Sequence, residues 1–160
     1  MQYRAVGSGD CFALDEDDGT RKEIGADGFV TLGVDTYLFP LSVPEASLYS
    51  VHIQTDAAIA GTFTIETCNF PKTKDEMGQT ADITDWDTAT VGAWVKEDPT
   101  GAYVASVGTG WTWTLLTGVK TAGTGGSMIH LGNLGSKRCR LKFVVTTGGK
   151  VRVNRHAKAA

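Results

Sequence analysis

Between Arg138 and Val145 every second residue is apolar: Cys139, Leu141, Phe143 and Val145 alternate with Arg138, Arg140 and Lys142. A period of two marks a strand with one buried and one wet face; a helix needs a period near 3.6. Val151 and Val153 repeat the pattern against Lys150 and Arg152, after Thr147-Gly148-Gly149. The two runs read as a hairpin. A two-residue Gly148-Gly149 loop would set Val145 opposite Arg152. A three-residue loop, Thr147 to Gly149, sets Val145 opposite Val151 and Phe143 opposite Val153, which keeps the valines on one side. Such a loop commonly ends in a left-handed residue, a place suited to Gly149.

A second alternating region lies upstream. Tyr49, Val51 and Ile53 alternate with Ser50, His52 and Gln54; after a turn at Asp56-Ala57, Phe63 and Ile65 alternate with Thr62, Thr64 and Glu66. Residues 47–55 and 61–67 therefore read as two adjacent strands. Trp111, Trp113 and Leu115 alternate with Thr112 and Thr114, and alternating aromatics on one strand phase read as core. Shorter candidates are 10–14, 29–32, 36–39, 93–96, 102–107 and 127–131. Twenty glycines, frequent threonine and the lack of long Leu/Ala/Glu/Lys segments favour strands and tight turns. About eight strands, with no supported helix of ten residues, give an all-β chain: an antiparallel β-sandwich or jelly roll. Residues 46–160 are read as the sandwich. Residues 1–45, punctuated by Pro40 and Pro44, are read as short strands and an extended N-terminal arm, or as the first strands of the sandwich.

The net charge is −3, but it is unevenly spread. Residues 137–160 hold eight Lys/Arg and no acid, so residues 1–136 hold 15 − 8 = 7 cations and all 18 acids, near −11. An acidic body with a basic end suits head-to-tail contact with copies of itself or an acidic partner. The candidate partner-binding residues are Arg138, Arg140, Lys142, Lys150, Arg152 and Arg155, expected to share the outer face of the final hairpin and the chain beyond it. No aromatic is interleaved there, so base stacking and sequence-specific nucleic-acid reading are not expected.

Motifs for chemistry are sparse. Asp15-Glu16-Asp17-Asp18-Gly19 resembles a calcium loop, but an EF-hand needs an oxygen ligand five residues before the glycine and Glu six after it, where Leu14 and Gly25 stand. Cys11, Cys68 and Cys139 make no CxxC and leave an odd count, which suits free thiols in a reducing compartment. Cys139, in phase with Leu141 and Phe143, reads as a small core residue. His52 and His130 are read as rim histidines and His156 as part of a frayed tail. No P-loop or dinucleotide fingerprint occurs. The expectation is no enzyme, no cofactor and no metal. No apolar run suggests a signal peptide or a membrane span. Residues 72–92 read as a long surface loop in which Trp86 anchors onto the sandwich.

Three stretches carry a resemblance: 50–56, 61–71 with its Gly61-Thr62-Phe63-Thr64-Ile65-Glu66 core, and 138–149 with its basic alternation and Thr147-Gly148-Gly149 turn. They are similar to a group of small β-sandwich proteins of tailed bacteriophage virions, over roughly residues 46–154. The resemblance implies a virion component made in the host cytoplasm. It would be a capsid decoration or cement subunit, trimeric for preference, binding the major capsid protein or other virion proteins. It equally allows a tail, collar or fibre-attachment subunit, and it transfers no catalytic residue. A carbohydrate-binding module on the same fold, using Trp86 or Trp94, is the alternative from another class.

Overall fold

The computed structural model describes residues 4–43, 46, 48–68, 87–88, 104–108, 111–114, 117–121, 123–131 and 138–159, with 87–88, 104–108 and 112–114 described through their backbone. In chain order the strands are β1 (Arg4–Asp10), β2 (Ala13–Asp15), β3 (Arg21–Lys22), β4 (Val30–Leu32), β5 (Thr36–Pro40), β6 (Leu48–Thr55) and β7 (Ala60–Cys68). They continue with β8 (Asp87–Thr88), β9 (Val104–Gly108), β10 (Trp111–Thr114), β11 (Thr117–Lys120), β12 (Gly125–Leu131), β13 (Arg138–Thr147) and β14 (Gly149–Ala159). They form two antiparallel sheets packed as a β-sandwich. The front sheet runs β1-β14-β6-β12-β9, with β4 also on β14; the back sheet runs β10-β11-β7-β13-β5-β2-β3, with β8 also on β7.

The alternation places the core where the sequence predicts it. Tyr49, Val51, Ile53, Val151 and Val153 from the front sheet meet Phe63, Ile65, Cys139, Leu141, Phe143 and Val145 from the back sheet, all buried in one apolar cluster. Phe63 and Phe143 are direct cross-strand partners, and their rings stack with centroids 3.7 Å apart. Trp111 lies on Phe63 at 5.4 Å, partly buried against the core as expected, while the side chain of Trp113 falls outside the described residues. Each buried Phe contributes about 1.5–3 kcal/mol through the apolar area it removes from water.

Two expectations about strand pairing are corrected. β13 and β14 are not a hairpin: β13 pairs with β7 and β5 in the back sheet, and β14 with β1, β6 and β4 in the front sheet. The chain passes from one sheet to the other through Gly148. Val145 and Val151 therefore line the same gap from opposite walls instead of sitting side by side. β6 and β7 also belong to opposite sheets, joined across the turn at Asp56–Ile59. A period-two pattern is the same for a hairpin and for such an arch, because both put alternate residues inside. Nor does Gly149 adopt a left-handed conformation. It is needed because a Cβ there would stand 2.7 Å from the Ile59 nitrogen and from Asp56 Oδ1.

Residues 4–43 are the first strands of the sandwich, the second of the two readings given for this segment, and not an extended arm. β1 and β4 extend the front sheet, β2, β3 and β5 the back sheet, and Ala13, Val30, Leu32, Tyr37, Phe39 and Leu41 are core residues. These strands share one core with the rest of the described chain. The C-terminal residues are not a frayed tail either, since β14 continues to Ala159, which faces Arg4 across the ladder. Of the expected 72–92 loop only 87–88 are described, as β8 beside β7; Trp86, the 93–96 strand and Trp94 lie outside the described residues, and the 102–107 candidate corresponds to β9.

One end of the gap is polar in an ordered way. Cys139 donates its backbone N–H to Ser42 Oγ at 2.8 Å, and Tyr49 Oη lies 3.4 Å from the Val43 carbonyl. The three cysteines are buried thiols, none of them in a disulfide. Burial pushes the Cys11 thiol up from 9.0 to about 11, Cys139 up from 9.0 to about 12, and Tyr49 from 10.0 to about 12. These groups stay neutral when folded and ionise more readily when unfolded. Their contribution to stability is thus complete below about pH 9 and is lost as the pH rises through 11–12. Urea unfolding midpoints should hold from pH 7 to 9 and fall steeply above pH 10; a flat profile to pH 11.5 would contradict the burial of these groups. A second prediction concerns Gly61, at φ +158, where a Cβ would lie 2.2 Å from the Val144 carbonyl oxygen and 2.7 Å from Phe143 Cε2. Gly61→Ala should cost roughly 2–4 kcal/mol in chemical denaturation, combining backbone strain with overpacking against the Phe143 ring.

Candidate functional site

Because β13 and β14 lie in opposite sheets, the six basic residues do not share a face. Arg138, Arg140 and Lys142 point outward from the back sheet, whereas Lys150 and Arg152 point outward from the front sheet. The expected common stripe is corrected on that ground. Arg155 falls on the inward phase of β14, and its Nη1 donates to the Leu41 carbonyl at 3.3 Å.

Arg138 and Arg140 are not solvated. Arg140 is only 1% exposed, and its Nε donates to Glu66 Oε2 at 2.7 Å, its direct cross-strand partner. Burial draws the Arg140 guanidinium below its ordinary value, and the Glu66 carboxylate opposes that shift. Arg138 Nη2 reaches Cys68 Sγ at 3.1 Å. Next along β13, Lys142 donates to Glu16 Oε1 at 2.8 Å.

On the front sheet Arg152 makes a two-pronged contact with Asp10, Nε to Oδ1 at 2.9 Å and Nη2 to Oδ2 at 3.2 Å. Asn154 Nδ2 adds a third bond to Asp10 at 2.9 Å. The hydrogen bond from Arg152 is the main cause that holds the Asp10 carboxyl below the usual carboxylate range. Lys150 reaches Asp27 at 3.6 Å, with both side chains about half exposed. An open cleft of about 540 Å³ lies beside it, lined by Arg21, Lys22, Glu23, Asp27, Phe29 and Lys150. Asp10, Glu16 and Asp27 are all N-terminal acids, and they pair with C-terminal cations. Much of the charge asymmetry seen in the sequence is therefore satisfied inside one molecule.

The outer face of the front sheet carries what remains. Register puts Ser8, His156, Ser50 and His130 in one row across β1, β14, β6 and β12, and Asp10, Asn154, His52 and Met128 in the next. All three histidines of the chain thus meet on one face, which the linear sequence conceals. Ser8 Oγ is hydrogen-bonded to His156 Nδ1. A Ser–His contact is the start of a nucleophilic site, but catalysis also needs donors for an oxyanion. Around His156 the backbone of β14 is committed to ladders on both sides. Lys120, 1% exposed on β11, gives its ammonium to the carbonyls of Thr121 and Gly123, and desolvation lowers its pKa.

The acidic turn that fails as an EF-hand does gather carboxylates. Asp15 and Asp17 meet Asp35, from the turn before β5, with their oxygens within 4.8 Å of one another. Asp15 Oδ1 already accepts the Asp17 N–H at 3.0 Å. Such a donor set fits a hard cation such as Ca²⁺, which takes six to eight oxygens. Among the described residues no helix is long and apolar enough to cross a membrane.

No protein-family model and no curated protein matches the chain. Among solved structures it is similar to the K1 cleaved adhesin domain of Lys-gingipain from Porphyromonas gingivalis W83. That likeness has 9% identity and a TM-score of 0.36, over 99% of this chain and 90% of that one. A likeness of that size carries no functional weight.

The ion pairs differ in burial, so they should differ in consequence. Arg140→Ala leaves the Glu66 carboxylate buried without its partner and should cost about 3–5 kcal/mol, whereas an Arg140→Met/Glu66→Leu double variant should recover most of that. Arg152→Ala should lose less, with a loss that shrinks as salt is raised. Denaturation of the three variants at low and high salt checks the order.

Proposed function

We propose that this chain is a structural protein of a tailed-bacteriophage virion, a capsid decoration or cement subunit that acts through protein–protein contacts. The observation that carries the reading is where the motif stretches fall. Residues 50–55, 61–68 and 138–147 lie in β6, β7 and β13, which with β14 make up the centre of both sheets. The residues that carry the resemblance are thus the ones that build the sandwich.

The docking surface we assign is the outer face of the front sheet. Its outward residues on β14 are Lys150, Arg152, Asn154, His156 and Lys158; among the outward residues of β1, β6, β12 and β14 the one acid is Asp10, already held by Arg152. Such a face suits an acidic patch on the major capsid protein, with contacts that weaken as salt rises. Arg138 and Arg140 serve the fold in this reading, as does Arg152 through Asp10, and the exposed Lys150 and Lys158 serve the partner. β1, at the end of the front sheet, offers an edge for pairing between subunits of a trimer.

Quantitative mass spectrometry of purified virions of the encoding phage tests the proposal. Hundreds of copies per particle support the decoration role. A few copies move the chain to the tail, collar or fibre attachment, and none overturns the virion assignment. A Lys150→Glu/Lys158→Glu variant should bind empty shells at least tenfold more weakly at low salt, with its folding unchanged.

A further inference from the structure

We propose that the cleft between residues 21–27 and the paired starts of β4 and β14 is a binding site for a sugar acid, a small ligand that carries one carboxylate beside its hydroxyls. The inference goes beyond the virion reading and does not depend on it. The cleft holds about 540 Å³, within the roughly 300–1,000 Å³ of small-molecule sites. Arg21, Lys22 and Glu23 line it from β3 and the residue after it, Asp27 and Phe29 from the loop before β4. Thr31 and Lys150, direct cross-strand partners, complete the wall.

The walls are held by bonds that need no ligand. Gly25 donates its N–H to the Phe29 carbonyl at 2.8 Å, and Gly28 donates to the Gly25 carbonyl at 2.9 Å. The Phe29 N–H gives to Asp27 Oδ1 at 3.0 Å and holds that carboxyl below the usual carboxylate range. Gly28, at φ +84, sits so close to the Arg152–Asp10 pair that a Cβ there would lie 2.7 Å from Arg152 Nε. The loop therefore rests on a fixed ion pair. On the opposite wall the Arg21 guanidinium lies 4.0 Å from the centroid of the Phe12 ring, a contact that orients it. A cleft organised in advance spares a ligand the entropy of ordering it.

Charge selects the ligand class. Arg21 Nε lies 3.0 Å from Glu23 Oε1, and Lys150 Nζ lies 3.6 Å from Asp27 Oδ2. All four side chains are half exposed or more, so these pairs are worth little and open readily. Lys22, half-buried, makes no ion pair among the described residues, although Asp18 feels its charge. Three cations against two acids leave 3 − 2 = +1 in the lining, which one carboxylate neutralises. A phosphate, near −1.5 to −2 at neutral pH, would crowd Glu23 and Asp27. Arg21 faces Glu23 through Nε, which leaves the terminal nitrogens of its fork for a ligand carboxylate beside the Lys22 ammonium. Glu23, Asp27 and Thr31 offer oxygens to sugar hydroxyls, and the half-buried Phe29 offers an apolar surface to the C–H face of a ring.

Titration of the isotope-labelled full chain with glucuronate, followed through the backbone amide resonances at constant ionic strength, tests this. Saturable shifts should be confined to residues 21–31 and the start of β14, with a Kd of about 1–5 mM. Acetate, glucose and a hexose phosphate should each bind at least tenfold more weakly. Lys150 also borders the docking face, so the decisive variant is Lys22→Ala, which should weaken glucuronate binding at least fivefold. Arg4→Ala removes an equal charge about 30 Å away along β14 and should change nothing. The site is refuted if glucuronate moves no amide of 21–31 at about 20 mM, well above the expected Kd. Equal binding of acetate overturns the sugar assignment, equal binding of glucose the acid, and tighter binding of the hexose phosphate the carboxylate. The resonances are read on the unsubstituted chain, so the result stands even if a variant fails to fold.

Discussion

Two chain crossings at one end of the molecule set the frame for the remaining strands. β6 passes to β7 across Asp56–Ile59, and β13 passes to β14 through Gly148. The crossings are stitched together. Asp56 donates its N–H to the Lys150 carbonyl at 3.1 Å, while its carboxylate accepts from the Lys150 N–H at 2.9 Å and from the backbone of Ala58 and Ile59 at 3.1 and 3.0 Å. Nested in this way, the arches must lay β14 beside β6 and β13 beside β7, as the ladders show. Sheets stack about 10 Å apart, so a one-residue crossing works only where their ends converge and the backbones nearly touch. A Cβ on Gly148 would lie 2.8 Å from the Leu32 carbonyl oxygen. Every other strand is added to this four-strand centre.

The sequence was most legible where burial alone decides. The inside phases of β6, β7, β13 and β14 follow directly from alternation, and so does the two-layer, all-β class. Pairing was not legible, because a hairpin and an arch demand the same alternation and differ only in which wall each half joins. Residues 1–45 misled for a related reason. Their strands are two to seven residues long, too short for a period to show, and their apolar residues are held by neighbours distant in sequence. Phe39 sits opposite Leu141, and Val30 opposite Val151.

Charge misled in a more instructive way. A basic end and an acidic body read as a device for contact between molecules, yet Asp10, Glu16 and Asp27 fold back onto Arg152, Lys142 and Lys150. Composition reports opposite signs but not distance. The histidines show the reverse: scattered over 105 positions of sequence, from 52 to 156, they come together through ladders that no spacing rule anticipates. The basic residues that looked most like a contact surface, Arg138 and Arg140, are buried in the scaffold.

The ladder between the first and last strands has a practical side. Arg4 and Ala159 are neighbours on adjacent antiparallel strands, so the two ends of the described chain leave the sandwich at the same corner. A short glycine–serine bridge could join them, and new termini opened in an exposed turn elsewhere would leave every ladder intact. Cargo fused at either end would emerge from one spot, well suited to displaying a peptide in a defined orientation.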